Sequence, residues 1–171
     1  TQPWAVMQQL AGQYETRTLT PDLDTIPDTL SLLLIVHPRD LPESALYAID
    51  QYVLRGGKAL ILVDPHAESD TQSTDLNRSN LPRLFAQWGI QLQPEIIGEA
   101  ATALRVNAGN GQAPQRHLGL LGLTPDQFTA NQRITHQLES INLSSSGYFT
   151  ATDNATTTVT PLLQAAPAPC H

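Results

Sequence analysis

Two histidines and three carboxylates stand just past two apolar runs. Residues 30–36 (LSLLLIV) lead into His37-Pro38-Arg39-Asp40, and residues 58–63 (KALILV) lead into Asp64-Pro65-His66-Ala67-Glu68. Two imidazoles and a carboxylate make a ligand set suited to zinc or a similar divalent ion. His37, Asp64 and His66, with Glu68 beside them, are therefore the candidate ligand-binding residues, for a metal, a sugar or another small molecule. That reading requires the two runs to be neighbouring strands whose carboxyl ends share one edge, where open α/β sheets bind ligands. The plainer reading is that two buried strands surface here into ordinary polar loops. The plainer reading is favoured, so no metal and no cofactor is expected.

Other arrangements offer less. The chain has no Gly-x-Ser-x-Gly elbow, and its single cysteine, Cys170, follows no strand that a helix continues. Ser144-Ser145-Ser146-Gly147, with His136 upstream, reads as a polar turn after a short strand rather than part of a triad. Asn107-Ala108-Gly109-Asn110-Gly111-Gln112 lacks the third glycine of a dinucleotide loop, and a Walker-type loop is absent. Asn-x-Ser/Thr triplets at Asn77, Asn142 and Asn154 carry no functional weight in a chain rich in Ser and Thr. No catalytic residue is proposed.

The elements that must position the histidines follow from hydrophobic spacing. Trp4, Met7, Leu10 and Ala11 have helical spacing with Gly12 to end the turn, and residues 14–19 read as a strand. Residues 30–36 and 58–63 are nearly all apolar, which predicts strands covered on both faces, as in a parallel sheet. Between them, Asp40-Leu41-Pro42-Glu43 has the form of a helix start, with Asp40 as cap and Glu43 at the capping-box position. Ala45, Ile49 and Val53, flanked by Leu46 and Tyr52, form one apolar stripe. Gly56 then supplies a left-handed cap. Strand, helix and strand make a βαβ unit.

A second round follows. Leu81, Leu84, Phe85 and Trp88 line one helix face, Gly89 closes it, and residues 90–97 read as a strand. The alternation predicts an α/β layered domain, Rossmann-like, with a mainly parallel sheet. Residues 1–98 form its core. Residues 99–171 read as a less regular α/β extension of the same domain, cut short at its C-terminus. In that extension residues 124–126 resemble a helix start, 134–138 one turn, and 141–143 and 158–163 strands, with a polar loop at 144–157.

Composition narrows the function classes. Sixteen acidic residues face nine basic ones, of which Lys58 is the only lysine, for a net charge of -7. Binding to nucleic acid rests on clustered Lys and Arg, and the arginines here are scattered, so nucleic acid is not expected as a partner. An anionic membrane surface is disfavoured for the same reason. No apolar run approaches the roughly 20 residues of a membrane-crossing helix. A start without Met or leader predicts a piece cut from a longer protein.

Ile26-Pro27, LLLIVHP (residues 32–38) and above all IDQYVLRGGKALILVDP (residues 49–65) resemble a known family. They are similar to the extracytoplasmic domain of the gliding-motility-type auxiliary component of ABC transporters. Trp88-Gly89-Ile90, RITHQL (133–138) and VTPLLQ (159–164) are similar to later landmarks. The resemblance implies a glutamine-amidotransferase-like α/β fold without that class's catalytic machinery. It also implies a periplasmic domain anchored through membrane segments absent from this chain, working beside an ABC permease and ATPase. The function expected is therefore non-enzymatic, through protein–protein contact. The alternatives are the ligand-binding module at His37, Asp64 and His66, and a hydrolase or amidotransferase-like enzyme.

Overall fold

The computed structural model describes residues 4–68, 78–107, 109, 113–153 and 155–165. Its elements in order are α1 (Ala5–Gln13), β1 (Leu33–Val36), α2 (Glu43–Leu54), β2 (Ala59–Leu62), α3 (Pro82–Gln87) and β3 (Ile90–Leu92). They continue with β4 (Ala103–Val106), β5 (Gln115–Leu123), a 3-10 turn (Pro125–Gln127), β6 (Ile141–Ser144) and β7 (Phe149–Ala151). By internal contacts the chain forms two compact units. One comprises Thr1–Leu33 and Asp40–Ala59, the other Leu34–Arg39 and Leu60–His171.

The predicted βαβ unit is present. Leu33 N–H donates to the Lys58 carbonyl and His37 N–H to the Leu62 carbonyl, both at 2.8 Å. Four residues of advance on one strand match four on the other in the same direction, so β1 and β2 pair in parallel. Leu33 thus lies opposite Ala59, and Leu34 and Val36 lie beside Leu60 and Leu62 on one face. That face is open: Val36 is 37% exposed, Leu60 47% and Leu62 49%. The expectation of strands covered on both sides is corrected here, because no second layer lies over those side chains among the described residues.

Helix α2 turns Ala45, Ala48, Ile49 and Tyr52 inward. This i, i+3, i+4, i+7 set is centred slightly away from the expected Ala45–Ile49–Val53 line, and Val53 and Leu46 are only half-buried. Tyr52 fixes the choice. Its ring is 2% exposed and its hydroxyl donates to the Leu30 carbonyl at 3.1 Å. The helix starts later than the capping-box reading placed it. Pro42 is the N-cap, no side chain caps the first turn, and Asp40 is in the left-handed region at φ 46°. A proline at the cap has extended backbone (ψ 156°), which moves the first helical residue to Glu43 and leaves Asp40 outside. At the other end Gly56 has φ +90°, and Gly57 sits so close to Tyr52 that a Cβ there would overlap the ring. Arg55 donates to Asp28 Oδ1 at 2.9 Å and to the Ile26 carbonyl at 3.3 Å, tying down the loop before β1.

In the second unit α3 buries Leu84 and Phe85, with Leu81 buried just before it, as the spacing predicts. Gly89 (φ +76°) then leads into β3. The strand that follows is short, because Pro94 has no N–H to extend a ladder. It pairs antiparallel with β7, Ile90 opposite Ala151 and Leu92 opposite Phe149. Phe149 meets Phe85 edge-on at 5.3 Å. Strands β4, β5 and β6 form a three-stranded antiparallel sheet around Leu121 and Leu123, which are buried on the nine-residue β5.

These pairings correct the expected sheet. Among the described residues only β1 and β2 run parallel; β3–β7, β4–β5 and β5–β6 are antiparallel. The α/β class stands; a mainly parallel, Rossmann-like sheet does not. Residues 14–19 form no strand and are mostly exposed, and no strand among the described residues pairs with them. Residues 158–163 contribute a single bridge, Leu163 to Phe128, where a strand was expected; Pro161 limits the pairing. Helix α1 extends through Gly12 to Gln13 and buries no residue.

Two substitutions test the βαβ turn. Gly56→Ala forces a Cβ into the left-handed region and should cost about 1–2 kcal/mol. Tyr52→Phe leaves the Leu30 carbonyl without its donor and should cost about 1 kcal/mol. Urea denaturation measures both; a neutral Tyr52→Phe would mean that water replaces the hydroxyl.

Candidate functional site

The candidate residues all lie in the second unit, in two loops that leave the parallel strands. His37 follows β1 directly and has φ 49°, a left-handed conformation that costs energy in any residue with a Cβ. Its N–H is spent on Leu62. Its Nε2 faces Arg39, 3.0 Å from Nε and 2.7 Å from Nη2. A guanidinium can only donate, so Nε2 accepts, and in the neutral ring the proton is on Nδ1. The Nε2 lone pair thus faces the Arg39 guanidinium.

Asp64 is used differently. Its Oδ1 accepts from His66 N–H at 2.8 Å, closing a turn of the kind aspartate forms with the residue two positions on. Its backbone is clamped by Ser79, which is buried. Asp64 N–H donates to Ser79 Oγ at 2.9 Å, and Ser79 N–H donates back to the Asp64 carbonyl at 2.8 Å. Asp64 therefore shapes the exit of β2, and the His66 side chain extends from that turn as an exposed residue.

Glu68, four residues beyond Asp64, makes the long-range link. Its carboxylate accepts from Ser144 Oγ at 2.9 Å and from Ser145 Oγ. The Ser145 hydroxyl foremost, and then that of Ser144, hold this carboxyl below the ordinary glutamate range; the nearby His66 and His117 add to the effect. Ser145 is 6% exposed, has φ 46°, and donates its N–H to the Gly119 carbonyl at 2.9 Å. Two residues on, Gly147 packs under Pro65: a Cβ at Gly147 would come within 2.7 Å of Pro65 Cγ. The loop after β2 is thus pinned to the end of β6 by a carboxylate, two hydroxyls and a proline–glycine contact.

This arrangement is a latch. Both hydroxyls act as donors to one carboxylate, and so join two segments distant in the sequence. Among the described residues no three His, Cys, Asp or Glu side chains are grouped as a metal ion would need. The His37 ring, the Asp64 carboxylate and the His66 N–H each make a hydrogen bond within their own loop. The 144–147 segment is the polar turn that its sequence predicts, but its partnership with Glu68 is separated by 76 and 77 residues and has no local signal. Ser79 and His117 went unnoticed in the sequence for the same reason. Asn142 is exposed on β6. Asn77, Asn154 and Cys170 lie outside the described residues, as does most of the glycine-containing segment 108–112.

Because Glu68's folded pKa is lowered, its carboxylate contributes stability above about pH 4.5, and the contribution is lost as pH falls through the lowered value. Glu68→Gln should therefore lower the urea midpoint modestly at pH 7, and the gap should close progressively below about pH 4.5. A gap that persists unchanged into acid would assign the effect to packing. Gly147→Ala should cost roughly 1–3 kcal/mol by overpacking against Pro65, measured in the same way at neutral pH.

No curated protein matches the chain, and no solved structure matches it. A family model described as an ABC-type uncharacterized transport system matches residues 1–168, nearly the whole chain. No helix among the described residues is long and apolar enough to cross a membrane. The match covers the βαβ unit, the two loops and the latch alike, and the chain belongs to this family of auxiliary components of ABC-type transport systems.

Proposed function

We propose that this domain is a non-catalytic accessory module on the extracytoplasmic side of an ABC-type transport system, acting by contact with the permease and, through it, the ATPase. Family membership supports the setting. The observation that carries the mode of action is the open aliphatic face of β1 and β2. Parallel strands are ordinarily covered on both faces. Here Val36, Leu60 and Leu62 stand exposed with half-buried Leu34 between them, and contiguous apolar surface of this kind marks interaction sites. The proposed occupant is an apolar segment of the permease, the subunit of such a system that presents polypeptide outside the membrane.

A non-catalytic role agrees with the chemistry of the loops. The carboxylates of Asp64 and Glu68 are engaged in turn and latch bonds, and the His37 ring is held by Arg39. A second reading, ligand binding near His37, Asp64 and His66, draws on their position at the carboxyl ends of two parallel strands. It predicts that a sugar, small molecule or zinc raises the melting temperature, since anything that binds only the native state stabilises it.

The deciding experiment is co-purification of the protein from its native membranes, with mass spectrometry of what accompanies it. The wild-type protein should bring down a permease and an ATPase. Leu60→Glu combined with Leu62→Glu should abolish that recovery while changing the unfolding free energy by no more than about 0.5 kcal/mol, as surface changes do. Recovery undiminished in the double variant would reject the face. Failure of the wild-type protein to bring down any transporter subunit would reject the accessory role.

A further inference from the structure

We draw no further inference here: the strongest candidate, the uncharged helix α1 with its apolar stripe of Trp4, Met7, Leu10 and Tyr14, buries no residue, and nothing in the structure shows what covers it.

Discussion

The register of β1 against β2 is the constraint from which much of the rest follows. Two hydrogen bonds, Leu33 to Lys58 and His37 to Leu62, set which side chains stand side by side and which loops leave from the same end. A slip of β2 by one residue would exchange that strand's two faces. Leu60 and Leu62 would turn away from solvent, and Ala59 and Ile61 would take their place. The register is held from outside the strands. Gly56 and Gly57 turn the chain out of α2 within two residues, and Tyr52, wedged over Gly57, ties the same helix to the carbonyl of Leu30.

From that pairing the chain leaves toward two differently fastened loops. The loop after β1 is local: a left-handed histidine is braced by an arginine two residues away. The loop after β2 is fastened at a distance, first by the reciprocal Asp64–Ser79 backbone clamp and then by Glu68 on Ser144 and Ser145. Strain and satisfaction go together at the second. Ser145 keeps an unfavourable backbone conformation because its N–H, its hydroxyl and its buried side chain all have partners. Backbone strain of this kind persists only where the surroundings over-determine it. These groups give the loops their shape.

The antiparallel pairings account for the part of the fold that local patterns missed. Strand β5 contains Gly119 and Gly122 and begins in a polar stretch, so its composition reads as loop. It becomes a strand because β4 and β6 pair with it on either side and bury Leu121 and Leu123. Strand β7 lies within what reads as a polar loop, and it forms where β3 offers an edge and Phe85 offers a ring to Phe149. In the opposite sense, residues 14–19 carry strand-like residues, but among the described residues no strand pairs with them.

By itself the sequence determined the βαβ unit, the glycine cap of α2, the short helix that buries Leu84 and Phe85, and the family. Each rests on information local in the chain: apolar periodicity, a glycine where the backbone turns left-handed, or a contiguous block such as IDQYVLRGGKALILVDP. The position of His37, Asp64 and His66 past strand ends was legible for the same reason. Only the tertiary structure decided that the sheets are mostly antiparallel, that one face of β1–β2 is open, and that Glu68 closes on serines more than seventy residues away. Strand direction, burial and long-range hydrogen bonds are properties of pairs of segments. No single segment contains them, because the energy of a ladder or a latch exists only once both partners are in place.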